Sequence, residues 1–208
     1  MITRESRREQ RRQLHQEISR TQLLDAAVEI FGRKGFHATT LKEIAEAADF
    51  SVGSVYSFFE NKDDLYASIW LRIGEEFLPP FEALVASIDD GLDGLVAVAE
   101  FEIGFFRDRP AFSRLYLRSS ASLVPTGDEA TPSTVVENAA RALELQARVI
   151  ARGQAQGRIR PGDPDALGRV FTNMVQAFQV MDVALDAESD HFLALDEFVA
   201  MVRAAFAA

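Results

Sequence analysis

The sequence contains no cysteine, one tryptophan and three histidines among its 208 residues. The absence of cysteine excludes disulfide bonds and thiolate metal sites, and it is compatible with a reducing cytoplasm. No apolar run reaches the length of a membrane helix, and the charged N-terminus lacks the apolar segment of a secretory signal. We therefore expect a soluble cytoplasmic protein without a metal or another cofactor.

Sequence signatures of catalysis are also missing. There is no H-E-x-x-H motif, no phosphate-binding glycine loop and no nucleophile elbow. The adjacent carboxylates Glu75–Glu76 and Asp89–Asp90 occur in polar contexts that are typical of solvated charge. We expect no catalytic residues and no enzymatic activity.

The net charge of -10 is distributed unevenly along the chain. Residues 1–62 hold ten Lys or Arg against nine Asp or Glu, a net charge of +1, whereas the remaining residues hold twelve against twenty-three, a net charge of -11. An acidic protein with a near-neutral N-terminal part can still place a few cations at nucleic-acid phosphates.

The stretch from Thr39 to Lys62 predicts two short helices around a tight turn. Thr40 and Glu43 form the T-x-x-E pattern of a capping box at the first helix. In the turn, Asp49 suits a left-handed backbone and Ser51 suits the N-cap of the second helix. This arrangement predicts a helix-turn-helix.

The second of these helices, predicted from Ser51 to Phe59, has an outer face suited to DNA. Gly53 lets a phosphate or a base edge approach the backbone. Val55, Phe58 and Phe59 point inward, which leaves small polar groups and a phenol for contacts in a groove.

At these residues the sequence resembles the TetR family of bacterial transcription regulators. The family pattern is matched in order by Gly35, Phe36, Thr39, Thr40, Leu41, Ile44, Ala45, Ala48, Phe50, Ser51, Gly53, Tyr56, Phe58, Phe59, Lys62 and Leu65. Asp49 departs from the family's usual glycine, and Val52 departs from its frequent polar or basic residue.

The resemblance implies an all-α protein with an N-terminal three-helix DNA-binding domain and a larger C-terminal ligand-binding and dimerisation domain. The expected boundaries are a basic tail at 1–16, the helix-turn-helix domain at 17–66 and the second domain at 67–208. The tail is either a solvated, partly helical segment or a basic arm that becomes ordered on DNA. The predicted DNA contacts are Thr40, Lys42, Ser51, Val52, Gly53, Ser54, Tyr56, Ser57 and Lys62.

The helix that begins at Lys62 is expected to break or kink at Pro79 and Pro80. Beyond it, residues 91–120 predict two helices that meet at Arg109–Pro110, and 121–134 predict a loop. The bulky apolar residues of the second domain either fill a core or line an apolar cavity. The resemblance favours a ligand pocket formed by Phe77, Phe101, Phe105, Phe112, Tyr116, Phe171, Met174 and Phe178.

The last two predicted helices, from Pro164 and from His191, carry broad apolar stripes that one chain has difficulty covering. We expect them to form the interface of a homodimer, with an intramolecular core as the alternative. The predicted interface residues are Val175, Met181, Leu185, Leu195, Phe198 and Val202.

Together these features predict a repressor that is released from a pseudo-palindromic DNA operator by a small apolar or amphipathic ligand. The alternatives are a regulator without an effector, and a helical enzyme or binding module that uses the helix-turn-helix as a scaffold.

Overall fold

The computed structural model describes residues 4–120, 132–184 and 193–208, with the backbone alone described for 4–7 and 120. These residues form nine α-helices and no β-strand, which confirms the predicted all-α class. The helices are α1 (Arg4–Lys34), α2 (Leu41–Ala47), α3 (Val52–Tyr56), α4 (Lys62–Ser87), α5 (Gly91–Arg107), α6 (Pro110–Ser120), α7 (Ser133–Ala155), α8 (Pro164–Ala184) and α9 (Leu195–Phe206).

The chain divides into two compact units, Met1–Ile69 and Trp70–Ala208. The point of division lies within α4. In the described parts of both units, no helix is both long and apolar enough to cross a membrane.

The core of the first unit forms between α1 and the short helices. Leu23, Leu24 and Phe31 of α1 are almost completely buried, as are Ile44 of α2 and Val55 of α3. Burying each of these side chains stabilises the unit by about 1.5–3 kcal/mol. Both short helices are therefore held mainly by packing.

Helix α1 includes most of the segment predicted as a basic tail. It is continuous from Arg4 to Lys34, which agrees with the helical alternative for residues 4–16. The helix stops before Gly35, whose φ of 84° is accessible to glycine at little cost.

Of the two outcomes predicted at Pro79 and Pro80, a break of α4 is wrong, because the helix runs through both residues. Both prolines are exposed, as are Glu75 and Glu76, whose carbonyl groups lose their hydrogen-bond donors. Water can satisfy these carbonyl groups, while the rings of Phe77 and Phe81, 5.1 Å apart, pack the opposite face.

In the second unit, α5 packs against α7, α8 and α9 around one apolar core. The backbones of α5 and α7 approach closely at Gly91, where an added Cβ atom would lie 2.2 Å from the Gly153 nitrogen. This contact requires glycine.

Several predicted boundaries of the second unit are confirmed. Helices α5 and α6 meet at Arg109–Pro110, and Pro164 opens α8, where Asp163 caps the Ala166 N–H at 2.8 Å. Residues 121–131 of the predicted loop and His191 lie outside the described residues. Helix α7 already begins at Ser133 and α9 begins at Leu195, so these two starts differ from the prediction.

Candidate nucleic-acid interface and buried polar cluster

The predicted capping box opens α2. The Thr40 hydroxyl oxygen accepts a hydrogen bond from the Glu43 N–H at 3.3 Å, and the Glu43 carboxylate accepts one from the Thr40 N–H at 2.9 Å. Lys34 also pairs with the Glu43 carboxylate. The hydrogen bond from Lys34 and then those from Thr40 lower the pKa of Glu43 to about 2.

The turn between α2 and α3 has the predicted chemistry. Asp49 adopts a φ of 59°, and the Phe50 N–H donates to the Ala45 carbonyl oxygen at 2.8 Å. The Ser51 hydroxyl oxygen caps α3 by accepting the Ser54 N–H at 3.0 Å. Helix α3 covers Val52–Tyr56 alone and is thus shorter than the predicted 51–59.

The predicted DNA contacts differ in exposure. Val52 and Ser54 are half-buried, and Tyr56 has 57% of its surface exposed. At Gly53 an added Cβ atom would meet the Ser51 hydroxyl oxygen alone, at 3.7 Å, so this side of α3 is open to a partner. The exposed members of the set are Thr40, Lys42, Ser51, Gly53, Tyr56 and Ser57.

Lys62 is half-buried and engaged within its own chain. Its ammonium group donates hydrogen bonds to the carbonyl oxygens of Phe36 at 2.8 Å and Thr39 at 3.0 Å. Two of its three N–H donors are thereby used to hold the start of α4 against the segment that precedes α2.

The rings predicted to line a pocket separate into two groups. Phe77, Phe101 and Phe105 pack on one another at 5.1–6.4 Å, and Phe112 and Tyr116 pack on Phe106. The second group, formed by Phe171 and Phe178, is at most 1% exposed.

The rings of this second group pack against α9. Phe171 lies 6.0 Å from Phe206, and Phe178 lies 4.6 Å from Phe198. Side chains of the same chain enclose Phe171 and Phe178, and their role in a ligand pocket stays a prediction. Met174 is half-buried beside this core.

A chain of polar side chains crosses the interior of the second unit. The Thr172 hydroxyl donates to the side-chain oxygen Oε1 of Gln146 at 2.6 Å. The side-chain nitrogen Nε2 of Gln146 donates to the Glu102 carboxylate at 2.6 Å. Nearby, the Gln176 amide donates to the Tyr116 hydroxyl oxygen at 2.9 Å. We name these five residues, Glu102, Tyr116, Gln146, Thr172 and Gln176, the Glu102 cluster.

Burial governs the ionisation of the Glu102 cluster. It raises the pKa of Glu102 to about 7, although the hydrogen bond from Gln146 opposes the rise. Burial also raises the pKa of Tyr116, and the nearby charge of Glu102 adds to this effect. The sequence contains a signal for this site, since Glu102 lies on the inward apolar stripe of α5.

The predicted dimer residues are for the most part not at the surface. Val175, Phe198 and Val202 are at most 3% exposed in the single chain, so the prediction that they form an interface is wrong. Met181 and Leu195 are half-buried, and Leu185 lies outside the described residues. The exposed apolar side chains of α8 and α9 are instead Val170, Val180, Val183 and Met201.

The comparisons with known proteins agree with this architecture. Residues 23–69 match the family model described as bacterial regulatory proteins, tetR family. The HTH-type transcriptional regulator RutR of Escherichia coli K12 is 28% identical over 149 residues, which cover 70% of this chain and 66% of RutR. The match thus spans slightly less than two thirds of that relative.

Two solved structures share the fold over most of their length. AibR in complex with isovaleryl coenzyme A and operator DNA has a TM-score of 0.70 and 21% identity, covering 88% of this chain and 96% of AibR. A transcriptional regulator from Saccharomonospora viridis in complex with choline has a TM-score of 0.69 and 19% identity, covering 90% and 95%. Residues 23–69 therefore belong to the TetR family of bacterial regulatory proteins, and RutR, which matches 70% of the chain, is an HTH-type transcriptional regulator.

Proposed function

We propose that the chain is a homodimeric cytoplasmic repressor whose binding to a pseudo-palindromic operator is controlled by a small apolar or amphipathic effector. The observation that carries this proposal is the capped helix-turn-helix, with the open face of α3 at Gly53 and Tyr56. Residues 17–66 form the DNA-binding domain in this proposal, and residues 67–208 bind the effector and the second subunit.

In the proposed complex, α3 of each subunit enters the major groove. The two grooves lie about 34–36 Å apart on one side of the duplex. Val52 offers an apolar contact to a thymine methyl group, and the hydroxyls of Thr40, Ser51, Ser54, Tyr56 and Ser57 suit phosphate or base contacts. Lys42 and the remaining N–H of Lys62 supply positive charge to the phosphates.

The dimer surface in this proposal is the exposed face of α8 and α9. Along α8, the exposed residues Val170, Asn173, Ala177, Val180 and Ala184 recur at helical spacing. On α9, Ala200, Met201 and Ala204 form a second exposed apolar patch. Small side chains allow helices to approach closely, which supports a four-helix interface about a two-fold axis.

The effector site in this proposal lies in the second unit, among the rings of α4, α5 and α6. It includes Phe77, Phe101, Phe105, Phe112 and Tyr116. The complexes of AibR with isovaleryl coenzyme A and of the S. viridis regulator with choline show that proteins of the same fold bind small molecules, which supports an effector for this chain. An effector switches the protein by binding one state of the dimer more tightly than the other.

The test is selection of bound fragments from a random DNA library by the purified full-length protein at moderate salt. Enrichment of an inverted repeat is the expected result. The double variant Tyr56→Phe, Lys62→Ala should bind the selected fragment more weakly and with a shallower salt dependence. Absence of enrichment by a folded dimer would contradict the proposal.

A further inference from the structure

The interior of the second unit contains a carboxylate without a counter-ion. Glu102 is 7% exposed, and it is the one acidic or basic side chain among the buried residues of the described ranges. Its hydrogen-bond donor, Gln146, is a neutral amide that reaches Oε1. Within those ranges no side chain donates to Oε2. Burial of a carboxylate in this way is costly unless a cation compensates it.

Aromatic rings adjoin this carboxylate. Phe106 lies one helical turn beyond Glu102 on α5, and its ring centroid is 4.6 Å from that of Tyr116 and 5.7 Å from that of Phe112. Burial is the main cause of the raised pKa of Tyr116, and the charge of Glu102 adds to it. A carboxylate beside aromatic faces is the combination that stabilises an organic cation.

The side chains around Glu102 differ in exposure. Glu102 and Gln146 are buried, whereas Phe106, Tyr116 and Gln176 are half-buried. The ring of Phe105 lies 5.8 Å from that of Phe106, and the rings of Phe77, Phe81 and Phe101 continue this row of aromatic side chains at separations of 5.1–6.4 Å. A molecule with a polar head and an apolar body fits this arrangement, with the head at Glu102 and the body against the phenylalanine rings.

We propose that the effector is an amphipathic organic cation, a quaternary ammonium or a protonated amine, whose head pairs with Glu102 and whose apolar body packs on the phenylalanines of α4 and α5. This inference rests on the proposed effector-controlled function. An anionic head is disfavoured because it would face a buried carboxylate with no Lys, Arg or His buried beside it in the described ranges.

The test compares three probes that share one alkyl chain: hexyltrimethylammonium, hexanol and hexanoate. Each is titrated into the full-length protein while the emission of Trp70 is recorded. Trp70 is the single tryptophan of the sequence, and its ring lies 5.3 Å from that of Phe112. We expect saturable binding of the cation, at least tenfold tighter than that of hexanol, and no binding of hexanoate.

Two variants distinguish a specific role of Glu102 in cation binding from the general effect of removing a negative charge. Glu102→Gln keeps the shape of the side chain and the contact with Gln146, and it should weaken cation binding at least tenfold. Glu100→Gln removes an exposed carboxylate of the same helix and should bind the cation as the wild type does. Thermal unfolding of both variants establishes that they are folded.

The inference is overturned if hexanoate binds as tightly as the cation, if the cation does not bind the wild type, or if Glu102→Gln retains full affinity. The comparison of cation and anion in the wild type decides the matter even when a variant is unstable. Enrichment of an inverted repeat in the DNA selection without cation binding would overturn this inference while leaving the proposed DNA-binding function in place.

Discussion

The ammonium group of Lys62 lies 4.3 Å from the ring centroid of Phe36 and donates a hydrogen bond to the Phe36 carbonyl oxygen at 2.8 Å. A second hydrogen bond reaches the Thr39 carbonyl oxygen. Lys62 therefore joins the first turn of α4 to the segment that leads into α2. A residue predicted from sequence to contact phosphates thus also holds the helix-turn-helix together.

Replacing Lys62 by methionine should change both stability and DNA binding. Loss of the two charge-assisted hydrogen bonds should lower the free energy of unfolding by about 1–2 kcal/mol, as measured by urea titration. If the third N–H reaches a phosphate, the slope of log K against log salt should become shallower by about one unit.

The control for this prediction is Lys42→Met. The Lys42 side chain is 75% exposed and lies 3.7 Å from Glu46, so its loss should leave the free energy of unfolding unchanged. A salt slope of Lys62→Met equal to that of the wild type would assign Lys62 a purely structural role.

The capping box at α2 gives a second prediction. Thr40→Ala removes the hydroxyl that accepts the Glu43 N–H, which should destabilise the first unit by about 1 kcal/mol in a denaturant titration. Thr40→Ser keeps the acceptor and should be nearly neutral. Equal stability of the alanine and serine variants would contradict a capping role.

The charge of Glu43 should make the same contact dependent on pH. The hydrogen bond from Lys34 and those from Thr40 lower the pKa of Glu43 to about 2 in the folded protein, below the ordinary value of 4.5. The resulting stabilisation is present above pH 4.5 and is lost as the pH falls towards 2. The stability difference between wild type and Glu43→Gln should shrink over this interval, and a constant difference would exclude the charge as its cause.

Contacts between residues that are close in the sequence were predicted correctly, whereas contacts between distant residues were not. The capping box, the left-handed Asp49 and the Ser51 cap depend on residues at most four positions apart, and all three are confirmed. By contrast, Gln146 lies 44 positions from Glu102 in the sequence, and no local pattern predicts their contact.

Helical periodicity also did not distinguish a core from an interface. It correctly found that α8 and α9 carry apolar stripes, but it could not show that Val175, Phe198 and Val202 pack within one chain. In α8 and α9, the more apolar stripe packs within the chain. The weaker stripe, with Val180 and Met201, remains exposed and is the better candidate for an interface.

The proposed dimer surface can be tested with two exposed residues. Val180 and Met201 are 49% and 52% exposed, so Val180→Asp with Met201→Asp should leave the fold of a single chain intact. Burial of two unpaired charges should dissociate the dimer, with a lower mass in sedimentation velocity and weaker binding to the inverted repeat. Val136→Asp, at a 59% exposed position of α7, is the matched control and should remain dimeric. Persistence of the dimer in the double variant would exclude this surface.

The last prediction concerns the pH dependence of folding. Burial raises the pKa of Glu102 to about 7 in the folded protein, above the ordinary value of 4.5. The folded state therefore holds a proton that the unfolded state releases, which favours folding fully below pH 4.5. This contribution is lost as the pH rises through 7. Relative to Glu102→Gln, the wild type should lose stability on the order of 3 kcal/mol between pH 4 and pH 8.

Urea titrations of the two proteins at several pH values measure this difference. Glu100→Gln corrects for the general effect of removing a carboxylate and should follow the wild-type curve, because Glu100 is exposed. Hexyltrimethylammonium should reduce the loss at pH 8 in the wild type, since a cation at Glu102 stabilises the ionised carboxylate that burial disfavours. A pH-independent difference between wild type and Glu102→Gln would mean that Glu102 has the same pKa in the folded and unfolded states, and it would contradict the effect of burial.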